Sequence, residues 1–383
     1  MRLPTTPRSH HDVIVAGVGA MGSAAAYHLA RRGQRVLALE RFGIPNTLGS
    51  SHGITRIIRL AYYEDPSYVA LLRRAFVLWR ELETTAGERL LVQTGSIDAA
   101  AEDNWVFAGS VRSCQEHDLP HEVLDAHALQ QRFPGYRLPD DVLACYQPDG
   151  GFLLPERCVV AHVEAAMAHG AEVHGHEPVL GWEPDGDGVV VATERGRYHA
   201  DRLVLSAGAW IGDLVAPLAG RAVAERQVLG WFAPDRPERF EPATFPVFNL
   251  ETDRGRYYGF PRYGIPGFKL GRYHHREERG RPEDLRAPPD AVDEALLREA
   301  VAAYFPDADG PVLTLATCLF TNTADEHFVI DRLPDHPQVV VASPCSGHGF
   351  KFAAVVGEIL ADLAVDGTPD HDLRRFGLDR LLA

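Results

Sequence analysis

The sequence predicts an α/β fold: a Rossmann-like dinucleotide-binding domain joined to a second α+β domain that carries an antiparallel sheet. Three observations predict it. Gly17, Gly19 and Gly22 form a G-x-G-x-x-G run between an apolar strand and an Ala-rich helix. Apolar runs at 202–207 and 339–341 read as further buried strands. Residues 223–275 alternate aromatic and apolar positions, as an antiparallel sheet requires.

The elements follow in order. Residues 12–17 are a short β-branched run, read as a buried parallel strand. Met21 to Arg32 reads as a helix, and Gly33 stands just past its end, where a left-handed cap is common. Residues 35–40 make the second strand and complete a βαβ unit. A helix is expected over 66–83, with Asp65 able to cap it and Pro66 at the first helical position. Its Val69, Leu72, Phe76 and Trp79 fall on one face. Residues 159–169 read as helical, with short strands near 171–175, 178–182 and 188–193. The charged, Pro-rich segment 276–290 predicts a mobile loop or lid edge. Helices are expected over 291–304 and from about Phe350 onward.

Composition bounds the partners. A chain of 383 residues, 45% hydrophobic, is long enough for two domains with sizeable cores. The net charge of −15 argues against a nucleic acid or an anionic membrane as the main partner. No apolar stretch approaches the roughly 20 residues of a membrane span. The first ten residues contain no apolar run like a signal peptide, so a cytoplasmic protein is expected. The five cysteines include no Cys-x-x-Cys pair, which argues against a disulfide framework or a metal site.

The nucleotide motif has the context it needs. Gly17 permits the tight turn, Gly19 lets a pyrophosphate approach the backbone, and Gly22 allows close helix–strand packing. The helix N-terminus offers free N–H groups to phosphate. Glu40 ends the second strand, where a carboxylate suits a ribose 2′-hydroxyl. The motif alone does not separate FAD from NAD.

Further motifs narrow the choice. They are Gly49 to Arg59, the triplet Lys269-Leu270-Gly271, Cys318 within the run 316–331, and Ser346 to Lys351. Jointly they resemble the monomeric sarcosine oxidase and N-methyltryptophan oxidase family, over Asp12 to about Asp370. The resemblance implies FAD, attached through its 8α-methyl group to the thiol of Cys318. It implies a discontinuous FAD-binding domain (9–90, 147–222 and 325–383) and a substrate domain (91–146 and 223–324). Arg59 and Lys351 match the pair that grips a substrate carboxylate, where a guanidinium and a second cation make strong charge-assisted bonds. Lys269 matches the lysine above the flavin ring that promotes oxygen reduction. Thr55 and Arg56 match residues close to the ring. Gly347, His348 and Gly349 precede a helix whose N-terminus would stabilise negative charge on the reduced ring. Tyr258 matches a tyrosine lining the pocket.

Two positions depart from the family pattern. Phe320 stands where the family often carries an aromatic hydroxyl. Tyr273 stands where it tends to place a histidine, so either Tyr273 substitutes or a one-residue bulge brings His274 into the pocket. The implied reaction oxidises a secondary amine of an N-alkyl amino acid, with O2 reduced to hydrogen peroxide, by a monomer. Oxidation of a cyclic imino acid, glycine or a D-amino acid is the neighbouring alternative. A flavin-binding module without turnover is the alternative of another class.

Overall fold

A computed structural model describes residues 10–382, so the first ten-residue leader reading and the domain edges at 9 and 383 lie wholly or partly outside the described residues. The strand His10–Ala16 pairs in parallel with Val36–Leu39 and with Gly196–Leu205. Gly196–Leu205 pairs in turn with His336–Ser343, again in parallel. The sheet reaches eight strands with Glu172–His174 at one edge and the antiparallel Val179–Asp185, Gly188–Thr193 and Val329–Leu333 elsewhere. Ile14, Val15, Leu203, Val204, Val340 and Val341 are all fully buried, because helices and loops cover both faces of a parallel sheet. Small residues let two of those helices touch: a Cβ on Gly357 would lie 2.4 Å from the Cβ of Ala24.

The second sheet has nine strands around the long pair Val223–Phe232 and Val312–Asn322. It is antiparallel, as expected, except where Val247–Thr252 runs parallel to Ser96–Ala101. Its core is aromatic: Phe245, Phe248, Phe268 and Phe305 pack with Tyr136 on the face away from the cleft. A three-stranded sheet, Arg56–Ile58, Gly151–Leu153 and Leu91–Gln93, stands beside these two.

Several elements differ from expectation. The helix expected over 66–83 runs Tyr68–Ala86, because the Asp65 carboxylate accepts the Ser67 N–H at 2.9 Å in a turn preceding it. The helix expected from 159 starts at Pro155, whose fixed φ and missing N–H suit the first position. Segment 276–290 is not a free loop. Arg276 pairs with Glu278, Asp290 and Asp293, and Arg279–Gly280 adds a short strand beside Val223–Phe232. The helix Trp105–Glu116, capped by the Asn104 side chain, had no clear signal in the sequence.

Candidate active site

One elongated cleft runs from the glycine loop to Lys351. At its nucleotide end the glycines divide by cause. A Cβ on Gly22 would sit 1.8 Å from the Gly17 carbonyl oxygen, and one on Gly17 would meet the Ser206 carbonyl at 2.6 Å. Gly17 also needs its φ of +92°. Gly19 is different: a Cβ there would meet nothing closer than Ser51 Oγ at 3.6 Å. Its smallness therefore serves something in the cleft. Glu40 is buried and accepts N–H bonds from Val18 at 2.8 Å and Phe42 at 3.0 Å. Burial pushes its carboxyl pKa up. The carboxylate thus shapes the loop and still faces the cleft. Ser50 Oγ, also on the cleft wall, is buried with no partner among the described residues. A dinucleotide with a hydrogen-bonding ribityl and phosphate chain fits such a wall.

Midway, the strand Val312–Asn322 delivers Cys318 to the cleft. Its Sγ accepts from Arg56 Nη2 at 3.3 Å. Arg56 is held in turn by the carbonyls of Thr55 (3.0 Å) and Ser50 (2.9 Å). Burial alone would raise the thiol pKa, but Arg56, His52 and Lys269 outweigh it and bring it to about 7. The contrast with the other thiols is informative. Burial pushes Cys345 up to about 12 and holds Cys158 well above the usual range. Cys145, hydrogen-bonded with Cys114 and buried, is raised as well. Cys318 alone among these four has its pKa lowered, which favours the thiolate.

Lys269 stands close by but does not line the cleft. Its Nζ donates to Gly53 O (2.7 Å), Thr55 O (2.8 Å) and Thr55 Oγ1 (2.9 Å), so all three N–H groups of an ammonium have acceptors. It also lies 4.1 Å from the centre of the Phe260 ring, which does line the cleft. Burial, then the nearby Arg56, push its pKa well down. Thr55 is therefore its partner, and Thr55 is likewise outside the lining.

The far end holds two buried basic side chains, Arg59 and Lys351. Arg59 is 1% exposed and lies between the rings of Tyr62 (4.4 Å) and Tyr63 (4.0 Å). It donates to the Ala61 carbonyl and to Glu64 at 2.8 Å, and stands 3.6 Å from Asp98. Its Nε has no acceptor among the described residues. Burial disfavours the charge on Arg59, yet Asp98 and Glu64 more than restore it. Burial also works against the Glu64 carboxylate, but Arg59 brings its pKa down to about 2. Lys351 donates to the His348 carbonyl at 2.7 Å, its single hydrogen bond among the described residues. An ammonium has three donors, so two remain for a ligand. Burial, then Arg59, lower its pKa to about 7.

His348 is part of the wall. Its Nε2 faces the Glu326 carbonyl at 2.9 Å and must carry the proton, so Nδ1 accepts from the Tyr62 hydroxyl at 2.6 Å. Burial lowers its pKa to about 4 and keeps it neutral. The adjacent glycines have internal reasons: a Cβ on Gly349 would meet the Pro344 carbonyl at 1.6 Å, and Gly347 has φ +76° with the Phe320 ring 2.7 Å from its would-be Cβ.

Tyr258 and Phe320 line the cleft, and Tyr258 lies across Gly271, where a Cβ would meet its hydroxyl at 2.5 Å. Of the two candidates near 273, Tyr273 lines the cleft and His274 does not. His274 takes φ +51° and turns into an ion pair with Glu225 (2.9 Å) and Glu326 (3.1 Å). The expectation of His274 as a pocket residue is corrected on that ground: two carboxylates hold it outside. Three contributors were not anticipated. Glu64 and Asp98 neutralise Arg59, and Asn249, hydrogen-bonded to Asp98 at 2.7 Å, lines the cleft. Each acts through contacts between distant segments, which no local pattern displays. Among the described residues no cluster could hold a metal ion, and no helix is long and apolar enough to cross a membrane.

A glycine-lined helix start with a buried carboxylate beside it marks a dinucleotide-binding cleft, and the comparisons supply the class. Residues 12–363 match the family model described as FAD dependent oxidoreductase. The chain is 43% identical to the monomeric sarcosine oxidase of Streptomyces avermitilis, over 97% of this chain and 98% of that one. It is 38% identical to the N-methyl-L-tryptophan oxidase of Salmonella heidelberg, over 97% and 99%. Among solved structures, the open form of NikD, an unusual amino acid oxidase essential for nikkomycin biosynthesis, superposes with TM-score 0.84 at 28% identity, over 96% of this chain and 97% of that one. The chain therefore belongs to the sarcosine oxidase and N-methyltryptophan oxidase family of FAD-dependent amine oxidoreductases.

Proposed function

We propose that this protein oxidises the secondary amine of an N-methyl or other N-alkyl amino acid, with FAD held as a thioether on Cys318. The observation that carries the reading is Lys351, a buried ammonium facing the cleft beside Arg59 with two donors unused. Bound FAD would supply the two-electron chemistry: the amine becomes an imine and dioxygen becomes hydrogen peroxide. The chain's own groups bind and orient. Arg59 and Lys351 would hold the substrate carboxylate, and Tyr258, Tyr273 and Phe320 would enclose the rest of the molecule. The substrate nitrogen must be neutral to react, and among the described residues no carboxylate or histidine stands free at the substrate end of the cleft. Positioning and a lowered amine pKa then account for the rate. The imine hydrolyses in water to an aldehyde and a primary amine.

Gly17, Gly19, Gly22 and Glu40 would hold the adenosine and pyrophosphate half, and Arg56, Gly347, His348 and Gly349 the flavin half. Lys269 would act on oxygen from behind Thr55 and Phe260. The two-part division, 9–90 with 147–222 and 325–383 against 91–146 with 223–324, draws support from one hydrophobic core confined to each part, while a third joins Ala100, Val106 and Cys145 to the helices of the first. A monomer in the cytoplasm remains the reading from the sequence. The test is anaerobic bleaching of the flavin by sarcosine, bulkier N-methyl amino acids, pipecolate, proline, glycine and a D-amino acid. Bleaching by the N-methyl compounds, with the demethylated product formed, is expected. Bleaching by cyclic or primary amines alone would overturn the N-alkyl assignment.

A further inference from the structure

Arg256 has a guanidinium with no hydrogen bond or ion pair among the described residues. It sits on the strand Gly255–Phe260, two residues before Tyr258 and four before Phe260. Side chains at that spacing share one face of a strand. Tyr258 and Phe260 both line the cleft; Arg256 shares their strand face but, like Lys269, lies just beyond the lining itself. Its guanidinium lies 3.8 Å over the ring of Tyr273, another cleft-lining residue, and 5.1 Å from the ring of Trp105. Trp105 is 44% exposed, so this group borders solvent, with Tyr273 between it and the cleft. Tyr63 links the two cations: Arg59 lies 4.0 Å over its ring, and Trp105 meets that ring edge-on at 4.9 Å.

The carboxylates near Arg256 are already engaged. Glu64 pairs with Arg59 and Glu326 with His274. Aromatic faces steady a guanidinium but accept none of its five N–H donors. A cation held in place, partly desolvated and lacking an acceptor is a ready anion site. The α-carboxylate already has Arg59 and Lys351. We propose that Arg256 receives a second carboxylate, carried on the substrate side chain, so that the preferred substrates are N-alkyl derivatives of acidic amino acids. This rests on the carboxylate-clamp reading above and specifies its substrate class. The protein's net charge of −15 makes such a local cation the more necessary for a dianionic ligand.

The experiment titrates the flavin spectrum of the holoenzyme with two unreactive ligands, (methylthio)acetate and 2-(methylthio)succinate, in the wild type and in Arg256→Met. The wild type is expected to bind the dicarboxylate at least about tenfold more tightly. In Arg256→Met the ratio of the two affinities should fall by about tenfold or more, and Arg256→Lys should recover part of it. Equal affinities in the wild type, a ratio unchanged by Arg256→Met, or no spectral response to either ligand would overturn the proposal. Turnover is read separately, as kcat/KM for N-methyl-L-aspartate against N-methyl-L-asparagine and sarcosine. If none of these reduces the flavin, the N-alkyl reaction fails while the ligand titration still decides the role of Arg256.

Discussion

The two ends of the cleft are built on different principles. At the nucleotide end, three glycines within six residues and one carboxylate shape the wall, and the contacts are mostly between backbone atoms. At the substrate end, Arg59, Asp98, Asn249, Tyr273 and Lys351 arrive from five separate stretches of chain, and charge holds them. The first end is steric and local. The second is electrostatic and assembled. Substitutions should therefore act through fit at one end and through affinity and pH at the other.

Cys318, between the two ends, gives the largest expected effect. Cys318→Ala should abolish the covalent link, so that acid precipitation leaves all the yellow colour in the supernatant. Covalent flavin surviving in that variant would move the linkage to another residue. At the substrate end, Lys351→Met removes one charge-assisted contact, worth about 1.5–3 kcal/mol. Affinity for a carboxylate substrate should fall roughly tenfold to a hundredfold, read as KM or as a ligand Kd. Unchanged affinity would remove Lys351 from the clamp.

At the nucleotide end a pair of variants separates architecture from ligand contact. Gly22→Ala drives a methyl into the Gly17 carbonyl and should destabilise the fold by about 1–3 kcal/mol, with or without flavin. Gly19→Ala makes only an ordinary contact with Ser51 Oγ, so the thermal midpoint of the flavin-free protein should stay put while flavin retention weakens. Equal destabilisation by both would erase the distinction between them.

The same contrast explains what the sequence displayed. The βαβ unit was legible because its strand, turn and helix signals are adjacent in the chain, and Gly17, Gly19 and Gly22 fell where the motif places them. The antiparallel sheet was legible by alternation. The parallel pairing of Val247–Thr252 with Ser96–Ala101 was not, since register between distant strands leaves no local trace. The carboxylates of Glu64 and Asp98 look like ordinary acidic residues until folding places Arg59 against them. Tyr273 and His274 show the limit most sharply. Neighbours in sequence, they part because Glu225 and Glu326 capture the histidine, and neither acid lies near it in the chain.

The smallest effect is a pH dependence at the substrate end, since the Cys318 thiol, also lowered to about 7, no longer titrates once the proposed flavin link consumes it. In the free protein Lys351 has its pKa lowered to about 7, so its charge is present below that pH and lost above it. A bound carboxylate favours the charged form and raises that pKa. Affinity for an anionic ligand without an amine should therefore be highest below about pH 7, fall as pH rises through the free-enzyme value, and level off above the bound one. A rise of about one unit on binding corresponds to about a tenfold fall between the plateaus. Neither Glu64, at about 2, nor neutral His348, at about 4, titrates in this window. His274, raised to about 9 by its hydrogen bonds to Glu225 and Glu326, titrates later and stands outside the cleft. Lys351→Met should flatten the profile. A wild-type profile already flat between about pH 6 and 9, or a slope that persists in the variant, would assign the titration elsewhere and leave Arg59 as the sole charged anchor.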